Sequence, residues 1–182
     1  LTTVAHDIGH AFGYLTQAEI TCLQGLAESL PKDAIVINIG AGAGTSGLAF
    51  ACARSDIHII TIDISSGGSL GGLENERNAF DGKGFQLPEQ ILGDSVKIGK
   101  AWKRGKVNIV FIDGDHTENG VRRDIEAWID HILPGGIIIF HDYDSVYWGA
   151  IKDVVDVIFQ KDKAIALIDT LIAFRVNEAT KK

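Results

Sequence analysis

The sequence predicts a doubly wound α/β fold: seven strands in a mostly parallel sheet, with an antiparallel strand pair at its C-terminal end. Three observations carry this. Short runs rich in Ile and Val alternate with segments of helical periodicity at least five times along the 182 residues. The runs are continuous rather than polar-alternating, as in strands covered by helices on both faces. The last two runs, "AIALID" (164–169) and "LIAFRV" (171–176), are separated by a minimal turn. Parallel strands cannot use such a turn, so these two pair antiparallel.

The elements follow in order. Thr16 and Glu19 form a capping box ahead of a helix to about Leu30, which Pro31 closes. "AIVINIG" (34–40) is a buried strand ending in glycine, "TSGLAFACA" (45–53) a helix and "IHIITIDI" (57–64) a second strand. "SSGGSLGG" (65–72) reads as a flexible loop rather than a domain linker, because structured segments follow it closely. A helix around Leu73–Phe80 precedes a weaker strand near Glu89–Leu92, and residues 95–103 read as helical. "VNIVFID" (107–113) is the fourth strand. In "ENGVRRDIEAWIDHI", Val121, Ile125, Trp128, Ile129 and Ile132 share one helical face, with Arg122, Arg123 and Asp124 outward. A Pro-Gly-Gly turn opens "PGGIIIFHD" (134–142), the fifth strand, and a helix over about 149–160 leads to the closing pair.

With 46% hydrophobic and 23% charged residues, the composition fits one globular domain, 1–182, with an N-terminal helical segment over 1–30. The chain opens at Leu1 rather than methionine, so a preceding native piece is expected. Lys and Arg total 17 against 24 Asp and Glu, a net charge of −7 with the acids dispersed. That balance disfavours nucleic acid or an anionic membrane as partner. The uncharged stretch 34–53 is long enough to suggest a membrane span, but its glycines break it in two. Cys22 and Cys52 make no disulfide framework, and with no signal-peptide pattern the cytoplasm is the simplest compartment.

In a doubly wound sheet, ligands sit beyond the carboxyl ends of the strands. The residues that fall there are Gly40–Gly44, Asp63, Asp94, Ser95, Asp113–His116 and His141–Asp142. "INIGAGAGTSG" lets backbone approach a ligand closely, and Gly42–Gly47 satisfies G-x-G-x-x-G with Asp63 placed onward for a ribose hydroxyl. Thr45 and Ser46 could equally cap the helix or touch ligand. Asp113, His141 and Asp142 lie 28 and 29 residues apart in sequence but at the ends of neighbouring strands. Two carboxylates and an imidazole converging in a cleft call for compensation, and a divalent cation is the natural one. The blander expectation is that Asp113 caps the next helix and His141 bonds backbone.

"INIGAGAGTS", "TIDI", "LGDS", "FIDGDH" and "LPGGIIIFHDY", in that order and spacing, resemble the class I S-adenosylmethionine-dependent methyltransferases. More narrowly they resemble the small-molecule branch that includes metal-dependent O-methyltransferases, over roughly residues 30–176. The resemblance implies that Gly40, Ala41, Gly42 and Gly44 face the cofactor's amino-acid moiety, with Thr45 and Ser46 beside them as candidate cofactor contacts. It implies Asp63 at the ribose hydroxyls, Asp94 and Ser95 flanking the adenine, and Asp113 bordering the cofactor. Asp113, His141 and Asp142 fall where metal-dependent members place ion ligands, and His116 where some keep a base. Two positions depart from the family. Asn38 stands where an acidic residue is usual, and His141 where the middle ligand is commonly a carboxylate. An imidazole suits Mn²⁺, Fe²⁺ or Zn²⁺ better than Mg²⁺.

The expected chemistry is methyl transfer from the sulfonium to a small-molecule hydroxyl. A divalent ion would lower the hydroxyl pKa, His116 would accept the proton and Asp113 would take part at the same centre. Two alternatives stay open. One is an NAD(P)-dependent oxidoreductase using the same glycine loop and Asp63, against which no Tyr-x-x-x-Lys pair appears. The other is a non-catalytic S-adenosylmethionine-binding scaffold. His6 and His10 at i, i+4 are reminiscent of a zinc helix but lack a third ligand. Tyr143, Tyr147 and Trp148 could wall an aromatic or sugar pocket or be ordinary packing, and "WKRGK" (102–106) reads as a solvated helix end. A partner subunit completing the lid would make the protein a homo-oligomer.

Overall fold

Residues 15–69, 71–177 and 180 are described by the computed structural model. The His6/His10 pair and the first half of the N-terminal helical segment lie outside them. Helix α1 (Gln17–Glu28) begins at the expected capping box: Glu19 N–H donates to Thr16 Oγ1 (3.2 Å), and Thr16 N–H to Glu19 Oε2 (2.8 Å). Then follow β1 (Ile35–Ile39), α2 (Thr45–Ala53), β2 (His58–Asp63), α3 (Leu73–Phe80), β3 (Glu89–Leu92) and α4 (Ser95–Lys100). The second half holds β4 (Val107–Ile112), α5 (Glu118–Trp128), β5 (Ile132–Phe140), α6 (Gly149–Ile158), β6 (Ala164–Ile168) and β7 (Leu171–Arg175).

The seven strands form one sheet in the order β3-β2-β1-β4-β5-β7-β6. All pairs are parallel except β5–β7 and β7–β6, so the expected mostly parallel sheet with an antiparallel closing pair is what forms. Period-2 alternation sorts the strand side chains into two cores. Ile37, Ile39, Val110, Ile112, Ile138 and Phe140 face α4, α5 and α6. Val36, Ile109, Phe111, Ile137 and Ile139 face α1 and α2. Burial on both faces is why these strands read as nearly continuous apolar runs. On the first face Trp128, fully buried, packs 5.2 Å from Trp102 and donates from Nε1 to the Ser95 carbonyl at 3.1 Å.

Three local expectations are corrected. The Pro-Gly-Gly segment is not a turn before β5 but lies within it. Ile132 pairs with Val107 and Ile137 already with Ile109, so the extra residues bulge out, with Gly135 at φ 82°. The helix expected over 95–103 stops at Lys100, because Trp102 turns into the core and donates from Nε1 to the Gly105 carbonyl. The loop after β2 is tied down: Gly72 N–H donates to Gly42 O at 2.9 Å, and Leu73 and Glu74 N–H to Ser65 and Ser66 carbonyls. Residues 103–106 of "WKRGK" are exposed, as expected, and Arg104 there makes a two-pronged pair with Glu89 (2.6 and 2.7 Å).

Candidate active site

The glycine turn between β1 and α2 is built by backbone that no side chain could occupy. Gly40 has φ 94°, and a Cβ there would sit on the Asp113 carbonyl oxygen. Gly44 (φ 90°) is the N-cap of α2, pressed against Glu76 and Ala79 of α3. Neither Thr45 nor Ser46 therefore caps the helix. Ser46 Oγ donates to Asn38 Oδ1 at 3.0 Å, whereas Thr45 Oγ1 is buried with no partner among the described residues. Asp63 ends β2 beside this turn. One carboxylate oxygen accepts from Ala41 N–H (2.7 Å) and the other from Ser65 N–H (2.6 Å), so it ties the turn to the next loop. Ile64, which follows it, is 80% exposed.

Beneath the turn lies a polar chain built from Asn38, Thr61, Glu76 and Gln90. Asn38 Nδ2 donates to Thr61 Oγ1 (3.2 Å), Thr61 donates to Glu76 Oε1 (2.8 Å), and Gln90 donates to Glu76 Oε2 (2.8 Å). Asn38 and Glu76 are fully buried. Burial, reinforced by the negative charge of Asp63 and opposed by the Gln90 and Thr61 hydrogen bonds, pushes the Glu76 carboxyl up to about 7.

At the end of β3, Asp94 caps α4, accepting from Val96 N–H (2.9 Å) and Lys97 N–H (3.2 Å). Ser95 Oγ donates to Asp124 Oδ1 at 2.5 Å. Asp124 is buried rather than outward as its helical position suggested. Burial, with Asp94 and Asp115 close by, raises its carboxyl to about 6.

The centre of the site is where β4 and β5 end. Ile112 pairs with Phe140 across the parallel ladder, so Asp113 and His141 stand level on neighbouring strands. Successive strand residues normally face opposite sides. Asp142, however, takes a left-handed backbone (φ 56°), and ligand atoms of Asp113, His141 and Asp142 all come within 4.8 Å of one another. His141 Nδ1 lies 3.2 Å from Asp113 Oδ1 and 3.5 Å from Asp142 Oδ2. His116 Nε2 lies 3.3 and 3.2 Å from the same two oxygens. The four predicted residues thus meet at one point. Asp113 does not cap α5; Thr117 does.

Hydrogen bonds to Asp113 and Asp142 raise the His116 imidazole to about 9 against the cost of burial. For His141 burial is the largest influence and opposes charge, but attraction to Asp113 and bonds to Asp113, Asp142 and Glu19 outweigh it, lifting it to about 12. Both aspartates are held below their ordinary range by these imidazoles despite burial.

Two neighbours complete the site. Glu19, reached from α1 and 1% exposed, faces His141 Nε2 at 3.4 Å. The Trp148 ring stacks on His116 at 4.9 Å and 22°. The aromatic trio divides accordingly. Tyr143 is fully buried and donates to Asp156, so it is packing. Trp148 belongs to the site, and Tyr147 stands exposed.

Among solved structures, this fold is shared with a protein of Corynebacterium glutamicum at TM-score 0.73 and 15% identity, covering 97% of this chain and 89% of the other. It is shared with an S-adenosylhomocysteine (SAH) complex of the O-methyltransferase of Bacillus cereus at 0.71 and 16%, covering 95% and 90%. An SAH-bound methyltransferase of Podospora anserina aligns at 0.69 and 17%, covering 90% and 80%. At these identities the likeness is one of fold. The sequence itself matches the methyltransferase domain family over residues 37–143, more than half of the chain. That match begins inside β1 and ends just past β5, and by it the chain belongs to the methyltransferase domain family, whose reaction is methyl rather than hydride transfer.

Proposed function

We propose that this chain, as one domain, methylates a hydroxyl group of a small molecule, with a divalent ion held by Asp113, His141 and Asp142. The convergence of those three side chains at the rim that carries the glycine turn is the observation that supports it. Two carboxylate oxygens and an imidazole nitrogen make a donor set suited to Mn²⁺, Fe²⁺ or Zn²⁺, with Mg²⁺ less favoured. The surroundings of the glycine turn also fit S-adenosylmethionine. Thr45 Oγ1 is a buried hydroxyl in want of a partner, and Ile64 presents an apolar face beside Asp63. The fold shared with an O-methyltransferase supports oxygen as the acceptor atom.

When bound, S-adenosylmethionine supplies an electrophilic methyl on sulfur, and the ion lowers the pKa of a coordinated hydroxyl. The chain's own residues supply the rest. Backbone at Gly40–Gly44 gives close approach to the amino-acid end, and the unused lone pairs of Asp63 can accept from ribose hydroxyls. Asp94 and Ser95 would border the adenine. His116, stacked on Trp148, would serve as the base once an ion engaged the Asp113 and Asp142 oxygens that now hold its Nε2, and S-adenosylmethionine would supply the methyl group.

One observation favours a second reading without an ion. His116 and His141 already face both carboxylates, so two imidazoliums balance two aspartates in place of a cation. Methyl transfer to a panel of hydroxylated small molecules, measured with Mn²⁺ and after chelation, separates the two. Turnover that needs Mn²⁺ and is lost in Asp142→Ala supports the ion. Turnover indifferent to chelation overturns it. The free thiols support a cytoplasmic setting, and exposed Ile165 and Leu167 on the edge strand β6 support a homo-oligomer, which light scattering tests.

A further inference from the structure

We infer that Glu19 is a positioning residue for His141, fixing which ring nitrogen is left to bind the ion. This rests on the ion-binding reading above.

Every neighbour of the Glu19 carboxylate is a donor. Oε1 accepts from Thr170 N–H (2.9 Å) and Thr170 Oγ1–H (2.8 Å), and Oε2 from Thr16 N–H (2.8 Å). The remaining lone pair of Oε2 faces His141 Nε2 at 3.4 Å. Thr170 Oγ1 has given its hydrogen to Glu19, so toward His141 Nε2, also 3.4 Å away, it offers only lone pairs. Nε2 thus looks out on two acceptors and must carry the hydrogen. In the neutral ring this leaves the lone pair on Nδ1, the nitrogen directed at Asp113 and Asp142. A ligating histidine held from behind by a carboxylate has its tautomer and ring orientation fixed, and loss of such a partner costs about 10–100-fold in metal affinity. Glu19 is itself held from both sides, by the start of α1 and by the turn between β6 and β7. The capping-box glutamate therefore has a second role that its local motif does not require.

Calorimetric titration of the full chain with Mn²⁺ alone, alongside thermal melting, tests this in three proteins. Glu19→Gln puts an amide N–H among donors and removes the acceptor behind Nε2, and is expected to weaken Mn²⁺ binding about 10–100-fold. Thr16→Ala removes the helix cap but keeps the Thr16 backbone N–H. It is expected to lower Tm by about 2–4 °C while Mn²⁺ affinity holds. If Glu19→Gln does not fold, Thr170→Val serves, with an expected loss of roughly threefold or more. Wild-type affinity in Glu19→Gln, or in Thr170→Val where that variant is used, overturns the inference and leaves the ion site standing. So does a loss of Mn²⁺ affinity in Thr16→Ala equal to that in Glu19→Gln, which would mark the effect as general loosening. Absence of Mn²⁺ uptake by the wild type overturns the ion site itself.

Discussion

Replacing Glu76 with glutamine should change how stability depends on pH. The carboxyl is fully buried beneath the glycine turn, and burial lifts its pKa from 4.5 to about 7. Between those two values the folded chain holds a proton that the unfolded chain has released. Stability therefore falls as pH rises through this window and levels off above 7. At 1.36 kcal/mol per pKa unit, the gap corresponds to about 3 kcal/mol between pH 4.5 and pH 8. Glutamine keeps the shape and one acceptor oxygen but cannot ionise. Glu76→Gln should then match the wild type near pH 4.5 and exceed it by about 3 kcal/mol at pH 8, or about 6–12 °C in Tm for a chain of this size. Urea unfolding of both proteins at several pH values gives the difference directly, and other titrating groups cancel in it. A difference that stays flat from pH 5 to 8 would refute a carboxyl protonated by burial. A variant less stable at pH 8 would show that the Thr61 and Gln90 hydrogen bonds prefer the charged form.

Other outcomes are expected elsewhere. Asp142→Ala should lower methyl transfer by about 10²-fold or more, read from initial rates, because it removes a converging oxygen while the left-handed backbone at φ 56° still has to carry a Cβ. Gly40→Ala should cost about 1–3 kcal/mol in urea and weaken S-adenosylmethionine binding by calorimetry, since the new Cβ lands on the Asp113 carbonyl. Trp128→Ala should lose about 3–5 kcal/mol by denaturant unfolding, because a fully buried ring and its bond to Ser95 both go. Trp148→Ala should leave stability nearly unchanged, as the ring is 45% exposed, while altering the pH–rate profile through the unstacked His116.

The fold was legible wherever a single residue pattern decides the outcome. Ile59–Ile62 and Val107–Ile112 are apolar at all positions but Thr61 and Asn108 because helices cover both faces, and "LIDTLIAF" leaves room for nothing but a tight reversal. The Pro-Gly-Gly segment was misread because a bulge and a turn use the same residues, and only pairing with β4 and β7 tells them apart. In the site, Asp113, His116, His141 and Asp142 were legible because adjacent strands bring their own ends together. Glu19 and Glu76 were not. Their partners lie 122 and 151 residues away for Glu19, and on two different strands for Glu76. No periodicity encodes such contacts. Trp148 was legible as a candidate, but its stack on His116 depends on where the loop after β5 turns.

Among the described residues, the last strand in sequence is not at the edge of the sheet. β7 inserts between β5 and β6, and the turn before it carries Thr170 to the rim where β4 and β5 end. A chain emerging from the ribosome can assemble its parallel half early. Glu19, however, has no hydroxyl to hold it until some 150 residues later in synthesis. Long-range closure of this kind is slow and comes last in folding. A nascent chain stalled before the final hairpin would hold a nearly complete sheet and no finished centre.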